Sequence, residues 1–191
     1  MERVENNRQE FSFFKRPSSN VYPSGKYTLL DAYNYIVGGQ AKAITDEVRT
    51  INDKEEAKQF KFNNFDFCTF SGTFSYRNTK SLIKHSGLMT IDLDYLDDVE
   101  AMRQKLFEDE YFDTQLLFVS PKGHGLKWII EIDLSKASHA EYFRAITNYF
   151  KKTYNLLIDQ SGSDVCRACY LPYDPNCYIN PKYLNHDQET I

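Results

Sequence analysis

Gly87-Leu88-Met89-Thr90-Ile91-Asp92-Leu93-Asp94 is an apolar run of strand length that ends in two acids. Directly after it, Asp97 can cap a helix in which Val99, Met102, Leu106 and Phe107 recur at helical spacing and form the buried stripe. The order is therefore strand, acids, helix. On a strand, Asp92 and Asp94 leave the same face with Cα atoms about 6 to 7 Å apart, so both can converge on one metal ion. Ile91 and Leu93 face the opposite, helix-covered side and give the acids a rigid base, with both acids expected at the surface. Hard oxygen ligands of this kind suit Mg²⁺ or Mn²⁺, which serve phosphoryl transfer. The competing reading is a strand end whose acids are only solvated, with Asp97 and Asp98 as helix-start charges.

Downstream, Gln115 to Ser120 and Leu126 to Ile132 read as the strands of a hairpin around Pro121-Lys122-Gly123-His124-Gly125. In Ser120-Pro-Lys-Gly-His-Gly-Leu-Lys127 the two glycines let backbone N–H groups approach phosphate oxygens, and Lys122 and Lys127 add positive charge. A plain turn with solvated lysines would show the same residues. Strand alternation places Lys127 on the face of Ile129 and Glu131, away from Trp128. Ser138 and Glu141 then form a capping box for a helix with the apolar stripe Tyr142, Ala145, Ile146, Tyr149 and Phe150. Beyond it, Leu156-Leu157-Ile158-Asp159 leads to a last strand from Val165 to Pro172. Asp159 and Asp164 are candidates for a third carboxylate, and Arg167 can reach a phosphate or pair with one of them.

Upstream, Phe11 to Phe14 reads as a short strand and the Pro/Ser/Gly clusters around it as loop. Thr28, with Asp31 three residues on, opens a helix that stops at Gly38-Gly39. Further helices are expected over Lys42 to Ile51 and Lys54 to Lys61, and a strand over Phe67 to Gly72. The whole reads as one α+β domain around a mainly antiparallel sheet flanked by helices. Residues 1–86 make an N-terminal α/β portion, 87–175 the metal- and nucleotide-binding core, and 176–191 a tail without a period.

With 41% hydrophobic residues and no run near the ~18 apolar residues of a membrane span, the chain reads as globular, with no membrane partner. The polar start, Met1 to Glu10, is unlike a signal peptide, and a cytoplasmic protein is expected. A net charge of −4 excludes general DNA coating, so any nucleic-acid contact is local; Arg77, Lys80, Lys84 and His85 are the better candidates for it. Cys166, Cys169 and Cys177 could form a zinc set with His186 or Cys68, but Cys166 and Cys169 would face opposite sides of a strand. Packing is the expected role of most of the 14 Phe and 14 Tyr.

The sequence Leu-Met-Thr-Ile-Asp92-Leu-Asp94, then Ser120 to Lys127, then Ile158-Asp159 and Arg167-Ala-Cys-Tyr-Leu-Pro-Tyr-Asp174-Pro175, resembles the archaeo-eukaryotic primase superfamily. More closely, it is similar to the BT4734-like, or virulence-protein-E N-terminal, domains of Bacteroides-type mobile elements and phages, as are Val48-Arg49 and Phe70 to Phe74. The resemblance implies an RRM-like core in which Asp92, Asp94 and Asp159 bind catalytic Mg²⁺ or Mn²⁺. It also implies that Ser120, Gly123, Gly125 and Lys127 hold the phosphates of a nucleoside triphosphate; Lys122, His124 and Arg167 are further phosphate-binding candidates read from the residues themselves. Lys127 stands where the superfamily usually has His, and His124 lies three residues earlier.

Two functions follow as expectations. One is a primase- or polymerase-type nucleotidyltransferase acting on single-stranded or template DNA, with a helicase-like ATPase as possible partner. The other is a non-catalytic nucleotide- or DNA-binding module that recruits or regulates a helicase.

Overall fold

The acid-ended run forms strand β6 (Leu88–Leu93) of a four-stranded antiparallel sheet in a computed structural model that describes residues 9–184. The polar start before residue 9, and the tail from 185 on with His186, lie outside the described residues. The sheet order is β10 (Tyr178–Ile179), β7 (Thr114–Val119), β8 (Leu126–Glu131), β6. Helix α4 (Val99–Phe107) connects β6 to β7, the expected hairpin connects β7 to β8, and α5 (His139–Thr153) follows. β6 and β7 thus flank β8, and the register sets Ile91 opposite Trp128 and Asp92 opposite Lys127.

Strand alternation gives this sheet two unlike faces. Met89, Ile91, Leu93, Leu126, Trp128 and Ile130 pack against Met102 and Leu106 of α4 and Phe143, Ile146 and Phe150 of α5. Leu88, Leu116, Phe118, Ile129 and Ile179 point the other way. They meet a second antiparallel sheet, in the order β2 (Gly25–Tyr27), β1 (Phe11–Phe14), β3 (Phe67–Thr69), β9 (Cys169–Tyr170), and helix α1 (Leu29–Val37). Thr28 and Asp31 make the expected capping box on α1. Helices α2 (Lys42–Thr50) and α3 (Lys54–Asn64) pack through Val48, Ala57 and Phe65, and β4 (Gly72–Phe74) with β5 (Leu82–His85) forms a two-stranded ribbon. The described residues form a single α+β domain with antiparallel sheets and five α-helices, none long and apolar enough to cross a membrane.

Several expectations need correction. α4 is capped by Asp98, whose carboxylate accepts from Ala101 N, and Phe107 is largely exposed. On α5 the buried stripe is His139, Phe143, Ile146 and Phe150, while Ala145 is exposed. The stripe is rotated because Tyr149 keeps its hydroxyl at the rim, donating to Asp109 Oδ2 at 2.8 Å, and leaves the centre to Phe143. Of the strand expected from Val165 to Pro172, only Cys169–Tyr170 pairs, and with β3 rather than the central sheet. Asp159 and Asp164 accept from the backbone N–H two residues on, and such local bonds replace a ladder with turns.

The tail is tied into the core. Asp174 accepts from Val119 N at 2.8 Å and faces buried Arg103, and Asn180 N donates to Gln115 O at 2.9 Å, which sets β10 on β7. The central unit therefore extends past 175.

Phe150 is fully buried against Trp128. Phe150→Ala should lower the unfolding free energy by about 3–5 kcal/mol, and Ala145→Gln should change it by less than about 0.5 kcal/mol. Urea denaturation checks both, and equal losses would reject a buried face centred on Phe143, Ile146 and Phe150.

Candidate functional site

Asp92 leaves β6 on the face turned to the N-terminal layer, together with Thr90, and Asp94 follows just past the strand end. The segment after α5 runs beside β6: Asp159 N reaches the Asp92 carbonyl at 3.4 Å, bringing a third carboxylate to the first two. One oxygen from each of Asp92, Asp94 and Asp159 lies within 4.8 Å of the others. No other group of three His, Cys, Asp or Glu converges in this way among the described residues. Opposite ligands lie about 4.2 Å apart around Mg²⁺ and about 4.6–5.2 Å apart around Ca²⁺. Adjacent ligands around Mg²⁺ lie about 3.0 Å apart, so side-chain rotation must draw the three carboxylates inward to close on one hard divalent ion.

Lys127 stands across the ladder from Asp92, on the Ile129 face as expected, and its ammonium is in ion-pair contact with Asp92 Oδ1 and 4.0 Å from Asp94 Oδ1. The side chains of Lys127 and Asp92 are 11% and 19% exposed, so this is a buried pair. The expectation that both acids sit at the surface holds for Asp94 and fails for Asp92, because the N-terminal layer covers that face. Burial pushes the Asp92 carboxyl up against the pull of Lys127, and the carboxylates of Asp94 and Asp159 push the same way. Burial acts to lower the Lys127 ammonium, but Asp92 and Asp94 hold it above its ordinary value, so it stays charged. Asp92 Oδ1 is buried with the Lys127 ammonium as its partner, so a metal ion held by Asp92 would share this carboxylate with the lysine. Asp159 stays ionised: burial would raise it, but two hydrogen bonds from Ser161, with Arg167 and Lys127, bring it below its usual range.

The loop between β7 and β8 is closed by Ser120 N to Gly125 O at 2.8 Å and Gly123 N to Ser120 O at 2.9 Å. Gly123 has φ +83°, and a side chain at Gly125 would collide with the Leu93 carbonyl, so this loop needs both glycines to lie against the acid strand. His124 is exposed, and its carbonyl accepts from Leu96 N at 2.9 Å, which ties the loop to the segment after β6. Lys122 turns away from the acids and donates to the Val48 and Ile51 carbonyls at 3.0 and 2.5 Å, closing the C-terminal end of α2. Arg167 pairs with Asp159 at 3.4 Å. Asp164 sits apart from the cluster and bonds Cys166 and Thr79.

Two cations near the site lie outside the acid, loop and Asp159 segments. Arg49 of α2 donates through Nε to the Pro121 carbonyl at 3.2 Å. Lys61 of α3 is half-buried; burial and Lys127 lower it, with Asp94 and Asp92 opposing. No local pattern places either beside the loop, because tertiary packing alone brings α2 and α3 to it. Cys68 and Cys169 are buried register partners; burial raises both thiols, Cys169 to about 12, so these are thiols in apolar surroundings.

Residues 61–179, well over half of the chain, match the family described as BT4734-like, N-terminal domain, and the chain belongs to that family. Val48-Arg49 lies upstream of the matched segment. No curated protein and no solved structure matches the chain.

A pair of histidines braces the loop that carries Asp159. Gly87 N donates to His85 Nδ1 at 3.0 Å, so the His85 proton sits on Nε2, 3.1 Å from His139 Nδ1, and His139 Nε2 faces Gly162 O at 3.4 Å. This chain of bonds accepts only neutral rings, and burial with the His139 neighbour lowers His85 to about 4. The unfolded chain takes up its proton first, near the ordinary value of 6.5, so stability is complete above that pH and declines as pH falls towards about 4. Thermal unfolding should show a steeper loss over that window in the wild type than in His85→Gln, whose amide can still donate to His139.

Lys127→Met strands the buried Asp92 charge and should cost about 3–5 kcal/mol of stability. Asp92→Asn/Lys127→Met should lose less than the two single changes summed; additive losses in urea denaturation would show that the pair is not coupled.

Proposed function

We propose that this domain is a metal-dependent nucleotidyltransferase of the primase-polymerase kind. The observation that carries the reading is the convergence of Asp92, Asp94 and Asp159 beside a glycine loop ringed by cations. The strand and helix order supports it. β6, α4, β7, β8, α5, with β8 between β6 and β7, follows the split β-α-β-β-α arrangement of RRM-like folds. In the place of a final strand beside β6 runs the segment that bears Asp159.

In this reading Asp92, Asp94 and Asp159 hold Mg²⁺ or Mn²⁺, a donor set of hard oxygens that suits either ion. A bound divalent ion supplies charge neutralisation on the triphosphate of an incoming nucleotide. Lys127 holds the acids together and offers its positive charge to phosphate; Ser120, Gly123, His124 and Gly125 line the loop, and Arg167 orients Asp159. Template DNA is the second substrate, and a helicase-like ATPase of phage or mobile-element replication is the partner.

A second reading is favoured by one observation. The Lys127 ammonium already occupies Asp92, the carboxylate that a metal needs most. On that reading the domain is a non-catalytic nucleotide- or DNA-binding module that recruits or regulates a helicase.

Calorimetry with a nucleoside triphosphate, with and without Mn²⁺, separates them. Asp94→Asn and Asp159→Asn are the informative variants because neither strands the buried Lys127. Metal-dependent binding that weakens tenfold or more in both, with template-directed incorporation lost, is the expected result. Binding without incorporation supports the module, and no nucleotide binding in any condition overturns the enzyme reading.

A further inference from the structure

α3 presents a row of lysines to the site. Lys54, Lys58 and Lys61 are spaced i, i+4, i+7 and share one helix face, spanning about 10 Å. One end of the row is fixed by Lys54 Nζ, 5.4 Å from the ring centroid of Tyr95, the residue directly after Asp94. At the other end Lys61 is half-buried, in electrostatic reach of Asp94, Asp92, Lys127 and Lys122. Among the described residues its ammonium makes neither an ion pair nor a hydrogen bond, and Asp94 and Asp92 act on it only through space, against Lys127 and Lys122. Arg49 completes the edge. Its guanidinium is anchored to the Pro121 carbonyl and stands 3.5 Å from where a side chain on Gly123 would begin.

The charges around the acids then point to an anion. One divalent ion together with Lys127 already balances Asp92, Asp94 and Asp159, and Arg167 adds a further positive charge at Asp159, which leaves Lys61, Lys54 and Arg49 as additional positive charge beside the acids. A half-buried lysine keeps its charge at a cost unless a counter-ion arrives. Positive charge strung along two helical turns matches a chain of phosphates better than a single one. Lys122, the lysine of the loop itself, is engaged by the α2 carbonyls, so the N-terminal helices supply the charge that the loop does not.

We propose that the lysine face of α3, with Lys61 innermost and Arg49 beside it, is the polyphosphate subsite for a nucleoside triphosphate. The proposal rests on the nucleotide reading of the acid cluster, and its test is kept distinct from that of the metal. Tripolyphosphate, which has no base or sugar, is titrated into the whole chain with Mn²⁺ and without it, while Mn²⁺ binding alone is followed by electron paramagnetic resonance.

Lys61→Gln should weaken tripolyphosphate binding tenfold or more, and Arg49→Gln should weaken it in the same direction. Lys61→Arg should stay within about threefold of wild type, since the charge is kept. Lys136→Gln, whose exposed ammonium pairs with Asp133 at 3.2 Å and lies outside this helix face, should change little. Mn²⁺ alone should bind Lys61→Gln at least as well as wild type, because a neighbouring cation is gone; this also reports that the variant is folded. Equal affinity of Lys61→Gln and wild type overturns the proposal, as does failure of wild type to bind tripolyphosphate in either condition. If Lys61→Gln lost single-stranded DNA instead and kept tripolyphosphate, a nucleic-acid backbone would be the occupant and the proposal would be wrong. Lys61-dependent binding of tripolyphosphate in a protein that takes up no Mn²⁺ would support the subsite and overturn the metal reading.

Discussion

Every other group in the site is arranged around the contact between Asp92 and Lys127. Two opposite charges placed face to face across an antiparallel ladder fix the register of β6 on β8. A slip of β6 by one residue would send Asp92 into the apolar layer of Trp128 and Ile91 and leave Lys127 without its partner. Burying them is costly unless each neutralises the other. The same pairing that holds the sheet together therefore keeps charge in a layer that is otherwise apolar. Asp94 and Asp159 gather beside the pair and remain more exposed than Asp92.

The charged site exists because the central sheet is covered differently on its two sides. α4 and α5 close one face with an apolar layer, and the polar side chains are left to the other face, under the N-terminal sheet and α1. That second cover has a different chain origin. α2 and α3 come from the first third of the sequence, yet Arg49, Lys61 and the carbonyls that hold Lys122 all meet the loop between β7 and β8. A half-sheet bearing the acids alone would lack these cations. The N-terminal portion is thus part of the site as well as a cover over the core.

Much of this was legible in the residues. The strand ending in Asp92 and Asp94, the β7–β8 hairpin and the capping boxes at Thr28 and Ser138 rest on contacts within a few residues, and local patterns report those directly. β2 and β10, three and two residues long, carry too short a pattern to stand out and form only because β1 and β7 offer open edges. The stripe on α5 was misplaced because a tyrosine counts as apolar in a periodic pattern, whereas its hydroxyl needs a polar partner at the rim.

Residue order alone set the type of chemistry: which residues are acids, that two of them share a strand face, and that a loop has the glycines to lie close to them. These properties follow from covalent spacing and backbone geometry. How those groups are used was settled in three dimensions. Packing joined Asp159 to the pair, turned Lys122 away, buried Lys127 against Asp92 and brought Lys61 into range. Electrostatic partners are chosen by distance through space, and distances between segments dozens of residues apart are fixed by packing, which no local pattern encodes.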